Sequence, residues 1–142
     1  FTGHQNVVNV AEVSPDGTSV FTASGDCTAK CFDVESSRCI RTYRGHKDGL
    51  MWVASSLNGS QILTASEDCT VRLYSSGSEK EERVFLGHED IVRSAVFSPD
   101  GSQVLTASQD QSVKLWDLGS GNCIRTFDHD DFVCSAVFSG DG

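Results

Sequence analysis

The chain has 142 residues, 38% of them hydrophobic and 22% charged, so its composition allows one domain with a buried core and argues against disorder. A net charge of −9 argues against nucleic acid and anionic membrane surfaces as partners, because both select for an excess of lysine and arginine. No apolar run approaches the ~20 residues that a membrane-spanning helix requires, which favours a soluble protein.

A repeat of about 42 residues organises the chain. His4, His46 and His88 follow one another at intervals of 42 residues, and His129 comes 41 residues after His88. A glycine lies 13 residues after each histidine, and an aspartate lies 22 residues after each of the first three: Gly17, Gly59, Gly101 and Gly142, then Asp26, Asp68 and Asp110. Such a period predicts one supersecondary unit that is repeated along the chain.

Each unit is predicted to contain four short strands. In the third unit we place them at Ile91–Phe97, Gln103–Ser108, Ser112–Asp117 and Cys123–Phe127. A Ser-Pro-Asp-Gly turn separates the first two strands, because proline presets φ and glycine accepts a positive φ. No segment shows a helical period over three turns, so the predicted fold class is all-β.

Three complete units are expected at about residues 5–45, 47–87 and 89–127. Residues 128–142 are expected to supply only the first strand of a further unit, at about Phe132–Phe138. The chain begins with Phe1 rather than methionine, and it stops at Asp141-Gly142, inside a turn motif. We therefore expect it to be a segment of a longer protein.

Gly-His near the start of each unit and Trp116-Asp117 near the end of the third resemble the WD-repeat family, over the whole chain. This resemblance implies a β-propeller, in which four-stranded antiparallel blades surround a channel, here as an incomplete ring. It also implies a non-catalytic scaffold that presents one propeller face to peptides or proteins within a larger assembly.

The six cysteines allow either disulfides or packing roles. Cys27 and Cys69 follow equivalent aspartates, and Cys39 and Cys123 lie in matching Cys-Ile-Arg-Thr runs, a repetition that favours strand packing over disulfides. Only Cys27 and Cys31 lie close together in sequence, and a structural zinc site uses a second close pair of ligands, so we expect no zinc site. We expect a reducing intracellular compartment, the cytoplasm, with the nucleus as an open alternative.

The recurring histidines, serines and aspartates have a catalytic and a structural interpretation. A nucleophilic triad or a metal site would need one constellation, whereas this one occurs three times, so we expect no catalytic residue, no metal and no cofactor. The resemblance implies instead a hydrogen-bond network within each blade, in which histidine bonds the strand serine or threonine, aspartate orients histidine, and serine accepts from tryptophan; we assign the serine to it. The network residues are His4, Ser24 and Asp26; His46, Ser66 and Asp68; and His88, Ser108, Asp110 and Trp116.

The networks of the first two units depart from this pattern. Phe32 and Tyr74 stand where the third unit has its tryptophan, and Ser75 replaces the aspartate that follows it. Phenylalanine has no donor, and the tyrosine hydroxyl reaches elsewhere. We therefore predict that the third blade is the best ordered and the first the weakest.

The resemblance also implies a partner-binding face at one mouth of the channel. It maps to positions three and five residues after each histidine and to the residue before each turn aspartate: Val7, Asn9, Gly25, Gly49, Met51, Glu67, Ile91, Arg93, Gln109, Phe132 and Cys134. Apolar anchors beside an arginine are typical of interfaces, although strand-end packing explains Val7, Ile91 and Phe132 equally well.

Acidic pairs lie in the loops beside this face, at Asp130-Asp131 and Glu89-Asp90, and Asp48 follows Lys47. They favour basic peptides as partners through electrostatic steering, or they serve solubility, which is the more common role. Two further hypotheses stay open: a targeting or regulatory module of an enzyme whose catalytic domain lies outside this segment, and association with a second copy through open sheet edges.

Overall fold

The computed structural model describes residues 1–140, so the predicted turn glycine Gly142 lies outside the described residues. Twelve strands follow one another: β1 Val8–Val13, β2 Ser19–Ser24, β3 Ala29–Asp33, β4 Cys39–Tyr43, β5 Leu50–Ser55, β6 Gln61–Ser66, β7 Val71–Ser75, β8 Glu81–Phe85, β9 Val92–Phe97, β10 Gln103–Ser108, β11 Ser112–Asp117 and β12 Cys123–Asp128. The described residues contain no helix, which confirms the all-β prediction, and the strands of the third unit match their predicted bounds to within one residue.

The strands form three separate four-stranded antiparallel sheets. Each sheet keeps its strands in chain order, as β1-β2-β3-β4, β5-β6-β7-β8 and β9-β10-β11-β12. These sheets are the first, second and third blades, and the described residues do not close them into a ring. Within each blade the histidine loop and the turn between the second and third strands share one end, because the strands are antiparallel.

The turn between the first and second strands occupies the opposite end of each blade. In the first blade, Asp16 Oδ1 accepts hydrogen bonds from the Ser14 hydroxyl at 2.6 Å and from the Thr18 backbone N–H at 3.0 Å. Gly17 adopts a φ of 74°, which an L side chain rarely tolerates. The Ser-Pro-Asp-Gly sequence therefore forms the turn through both its side chains and its backbone.

Adjacent blades pack face to face through apolar clusters. Strand β5 contacts β1 and β2, and β9 contacts β5 and β6, so the first strands of successive blades are neighbours. An aromatic pair spans each junction: Tyr43 with Tyr74 at 5.4 Å between ring centroids, and Phe85 with Trp116 at 5.7 Å. Phe1 meets Phe32 at the same distance as the tyrosine pair, 5.4 Å, and covers the outer side of the first blade.

The predicted first strand of a fourth blade, Phe132–Phe138, is not a strand. Val133 and Phe138 still pack against the outer side of the third blade, and the Val133 N–H donates to the Ser108 carbonyl at 3.0 Å. The first strand of each complete blade pairs with a second strand of its own blade, and the described residues offer residues 132–138 no such neighbour. Without the hydrogen bonds of a neighbouring strand, this apolar segment does not form a strand.

The packing role predicted for the repeated cysteines was wrong for two of them. All six cysteines are free, but Cys39 and Cys123 are exposed on the outermost strands, whereas Cys31 is buried between the first two blades. Tyr43 on the same outermost strand as Cys39 packs against the next blade, so a repeated residue on such a strand is buried only where a neighbouring blade covers it. Within residues 1–140 the structure contains neither a grouping of metal-ligating side chains nor a helix long and apolar enough to cross a membrane.

Candidate functional site

The third blade contains a continuous hydrogen-bond chain from indole to carboxylate. Trp116 Nε1 donates to Thr106 Oγ1 at 2.9 Å, and that hydroxyl lies 2.7 Å from His88 Nε2. His88 Nδ1 donates to Asp110 Oδ2 at 2.6 Å. Ser112 donates its hydroxyl to Asp110 Oδ1 at 2.7 Å, so both carboxylate oxygens are satisfied. The chain of bonds therefore ties a loop, two strands and a turn of one blade together.

Histidine bonds the strand threonine, one of the two partners that the resemblance allows, and not the serine to which the role was assigned. In each blade His Nε2 meets a threonine two residues before that serine: Thr22 at 2.7 Å, Thr64 at 2.8 Å and Thr106 at 2.7 Å. Residues two apart in a strand share one face, so the sequence pattern places threonine and serine on the same side. Threonine and serine lie two residues apart along the strand. The histidine loop places the imidazole opposite the threonine, so the hydrogen bond forms with the threonine hydroxyl.

The serines connect the same loop and turn through the backbone. Ser108 Oγ donates to the Asp90 carbonyl at 3.0 Å and accepts from the Asp110 N–H at 3.1 Å. Ser66 makes the equivalent bonds to the Asp48 carbonyl and the Asp68 N–H. Ser24 makes the same two bonds, to the Asn6 carbonyl and the Asp26 N–H. The predicted serines therefore belong to the network, but they bond to backbone groups of the loop and the turn and not to the histidine.

The network of the first two blades ends at the threonine. Phe32 offers Thr22 no donor, so the Thr22 hydroxyl keeps only its contact with the Lys30 carbonyl at 3.4 Å and its bond to His4, whereas Thr106 makes the equivalent two contacts and also accepts from Trp116. Tyr74 directs its hydroxyl to the Arg44 carbonyl at 3.0 Å, which agrees with the expectation that it reaches elsewhere. Only the third of the three complete blades described therefore carries the indole-terminated network.

The charge state of the third network follows from its geometry. Burial raises the pKa of Asp110, but hydrogen bonds from Ser112 and His88 outweigh it and lower the pKa to about 2. Burial lowers the pKa of the His88 imidazole. Near neutral pH, Asp110 is therefore a carboxylate and His88 a neutral ring whose Nε2 accepts a hydrogen bond from the Thr106 hydroxyl.

Threonine, histidine and aspartate in this order have the connectivity of a nucleophilic triad. The hydroxyls are inaccessible, however: Thr64 and Thr106 have no exposed surface. A substrate carbonyl has no approach to the oxygen, and the same arrangement occurs in three successive blades. The network therefore stabilises the blades, each bond contributing roughly 1 kcal/mol.

The expected partner-binding residues lie around the ends that carry the networks. A β-bulge recurs in the first strand of each blade, and its extra residue is Asn9, Met51 or Arg93. A bulge redirects the side chain of the inserted residue, which explains why the position five residues after each histidine leaves the regular alternation. The sequence pattern located these three positions, but the bulge itself has no signature in it.

The neighbouring positions of the face are joined by backbone hydrogen bonds of 2.9 Å. The Gly25 N–H donates to the Val7 carbonyl, the Glu67 N–H to the Gly49 carbonyl, and the Gln109 N–H to the Ile91 carbonyl. Val7 and Phe132 are 67% and 57% exposed, so they do not pack inward, and Ile91 is half-buried. Gly49 is buried. A side chain at this position would bring its Cβ atom to 3.3 Å from the Gly25 Cα.

Asn9 differs from the other bulge residues because its amide is already engaged. Its Nδ2 donates to the Leu50 carbonyl of the second blade at 2.8 Å and lies 3.9 Å from Met51 Sδ. Asn9 therefore bridges two blades. Met51 is half-buried beside it, and Cys134 is exposed on residues 132–138.

Comparison with known proteins agrees with this geometry. The family model described as WD domain, G-beta repeat matches residues 1–33, 37–75 and 79–117. The chain belongs to the WD-repeat family. Each matched range ends at the third strand of a blade, so the WD repeat is offset from the structural blade by one strand.

Three relatives are similar to the chain over 43 to 48 residues each, about the length of one repeat. The chain is 46% identical over 44 residues to "Probable E3 ubiquitin ligase complex SCF subunit sconB" of Talaromyces stipitatus, covering 31% of this chain and 7% of that protein. It is 48% identical over 48 residues to THO complex subunit 6 of Arabidopsis thaliana, covering 34% and 13%. It is 49% identical over 43 residues to Eukaryotic translation initiation factor 3 subunit I of Drosophila willistoni, covering 30% and 13%. These matches span at most 13% of the length of the three relatives.

A polar cavity lies among the expected partner-binding residues and joins Gln109 and Phe132, which are distant in sequence. It measures about 320 Å³, and Gln109, Phe132, Glu89 and Asp90 line it. In the amide orientation that satisfies both groups, Gln109 Oε1 accepts hydrogen bonds from Arg93 Nη2 and, at 3.0 Å, from Arg93 Nε. The cavity thus places a hydrogen-bonded arginine–glutamine pair and an exposed aromatic ring beside three acidic residues, since Asp110 also lines it.

Sequence reasoning missed two sets of network residues. Thr22, Thr64 and Thr106 recur at the 42-residue period, so the repeat itself carried the signal, but the serine was assigned their role. The second set follows each aspartate by two residues, and its hydroxyls donate to Oδ1 of that aspartate: Thr28 at 2.5 Å, Thr70 at 2.6 Å and Ser112 at 2.7 Å.

Proposed function

We propose that the chain is a non-catalytic scaffold for protein–protein interaction, and that its histidine-loop end binds a peptide or protein partner within a larger assembly. The observation that carries this proposal is the bulge in the first strand of each blade, which holds Asn9, Met51 and Arg93 on a rigid sheet beside exposed Val7 and Phe132. Binding residues on a fixed scaffold lose little entropy when a partner arrives.

The family and its relatives support this proposal. The relatives' names describe subunits of an SCF ubiquitin ligase complex, of the THO complex and of a translation initiation factor. Because the threonine hydroxyls are buried, the recurring histidine networks have a structural role, which fits a non-catalytic protein. Six free cysteines fit a reducing compartment, for which we propose the cytoplasm.

The charge of the face favours a partner with basic residues. Glu89 and Asp90 line the cavity beside Gln109, and Glu67 is exposed in the second blade. Acidic side chains around a binding face accelerate the arrival of a basic segment and repel phosphate backbones and anionic membranes. An exposed apolar ring at Phe132 supplies an anchor that acidic residues alone do not.

The experiment is affinity enrichment from cell extract with quantitative mass spectrometry. It compares the unsubstituted chain with Arg93→Ala and with Lys80→Ala, which removes a cation from an exposed loop at the other end of the second blade. We expect partners whose recovery falls about fivefold or more with Arg93→Ala, the equivalent of ~1 kcal/mol, and is unaffected by Lys80→Ala. Equal recovery with all three chains would contradict the proposed face.

A further inference from the structure

A second apolar surface lies at the end opposite the histidines, where the turns between first and second strands meet. A groove of about 620 Å³ runs across this end, and residues of all three blades line it, among them Val13, Leu57, Phe97 and Pro99. Val13 and Leu57 are 58% and 81% exposed, the latter the highest value among the exposed large hydrophobic residues described. Contiguous apolar residues at a surface mark interaction sites more often than scattered ones do.

Leu57 is a departure from the repeat. The turn reads Ser14-Pro15-Asp16-Gly17 in the first blade and has the same residues in the third, whereas the second blade has leucine in place of the proline. The turn does not require this leucine, because Asn58 Oδ1 accepts from the Ser56 hydroxyl at 2.8 Å and from the Ser60 N–H at 3.0 Å. The exposed side chain therefore contributes little to the fold.

Residues 137–140 also line the groove, but one part of the apolar surface forms without them. A separate cavity of about 370 Å³ lies between the turns of the second and third blades, and Leu57, Phe97, Pro99 and Asp100 line it. Both blades have all four strands, so this part of the surface is complete in itself. An apolar side chain of a partner fits between Leu57 and Phe97 there.

The charges around the two cavities are all negative. Glu12 lines the groove and Asp100 lines the smaller cavity, and none of the described lining residues of either is lysine or arginine. Hydrogen bonds from Ser98 and Ser102 lower the pKa of Asp100 to about 2, so its carboxylate is ionised at neutral pH. The electrostatic complement of this surface is a cation next to an apolar side chain.

We propose that Leu57, Phe97 and Pro99 form a second binding surface, for a segment of a partner protein in which a large apolar side chain adjoins lysine or arginine. The chain then holds one partner at the histidine-loop end and another at the turn end. This surface is independent of the face in the proposed function, since the two lie at opposite ends of the strands.

The test begins with a random peptide display library, selected against the unsubstituted chain. One enriched peptide is then measured by fluorescence anisotropy against four variants. Leu57→Pro restores the turn residue of the other two blades and removes the exposed side chain, and Leu57→Ser replaces it if the proline variant does not fold. Leu86→Ser is the matched control, because Leu86 is a 69% exposed leucine beside the histidine loop. Arg93→Ala probes the other face.

We expect enriched peptides that combine leucine or an aromatic residue with lysine or arginine. Their affinity falls at least tenfold with Leu57→Pro, stays within twofold with Leu86→Ser and Arg93→Ala, and weakens as salt rises from 50 to 500 mM, by an amount on the order of a few fold. Absence of enriched peptides, acidic peptides, or equal losses with Leu57→Pro and Leu86→Ser would overturn the proposal. A dimer in light scattering that Leu57→Pro abolishes would also overturn it, because a second copy would then occupy the surface.

Discussion

Trp116 donates its indole N–H to Thr106 at 2.9 Å, and this bond distinguishes the third blade from the other two. Trp116 is 2% exposed and Thr106 has no exposed surface, so the bond is shielded from water. In the first and second blades Phe32 and Tyr74 occupy the same position without such a bond. One side chain therefore decides how far the shared network extends.

We predict that Asp110→Ala destabilises the chain more than Asp26→Ala, by about 1 kcal/mol. Both aspartates accept from a histidine, but loss of Asp110 disturbs a network that also holds the buried indole. The two side chains have the same exposed fraction, 9%, which makes the pair well matched. Urea denaturation of both variants measures the difference, and equal losses would contradict the ranking of the blades.

Introducing the missing donor is predicted to stabilise the first blade. Phe32→Trp places an indole N–H near Thr22, and the exposed ring of Phe1 has room to adjust. A double-mutant cycle with Thr22→Val isolates the new bond, for which we expect a coupling of about 1 kcal/mol. A coupling near zero would mean that the tryptophan only adds apolar contact and does not reach the hydroxyl.

Acid is predicted to destabilise the chain through the network aspartates. The pKa of Asp110 is about 2 in the folded chain against an ordinary value of 3.8, so the unfolded chain binds the proton more readily. The stabilisation is complete above the ordinary value and is lost as the pH falls toward 2. Asp110→Asn should therefore be less stable than the unsubstituted chain at pH 7, and the two unfolding free energies should converge toward pH 2. A constant difference would exclude this titration.

Arg83 is predicted to hold the second blade to the third. Its guanidinium donates to the Ser120 carbonyl at 2.7 Å and to the Gly119 carbonyl at 2.5 Å, both in the loop between β11 and β12. Arg83→Ala removes both bonds, and we expect a loss of about 1–2 kcal/mol, discounted for partial exposure. Arg41 is the equivalent residue one repeat earlier and makes no such bond among the described residues, so Arg41→Ala should cost clearly less in thermal unfolding.

The repeat made the fold class, the strands of the third unit and the turns accessible from the sequence. Those features depend on residues close together along the chain: proline and glycine in Ser98-Pro99-Asp100-Gly101 set backbone angles, and alternation in Ser112–Asp117 sets which side chains face the core. The pairing of His88 with Asp110 was also accessible, because the same 22-residue interval occurs three times.

The tertiary structure decided the features that depend on distances between elements. Thr106 and Ser108 share one face of a strand, and the path of the histidine loop alone chose the threonine. Phe132–Phe138 matches the first strand of the third unit in sequence, but a strand needs a hydrogen-bonded neighbour, which a sequence match does not supply. Leu57 stands where the turns of the other two blades have proline. Its exposed position beside Phe97 depends on the packing of the second blade against the third. Local sequence determines backbone conformation, whereas surfaces and long-range partners arise from packing between blades.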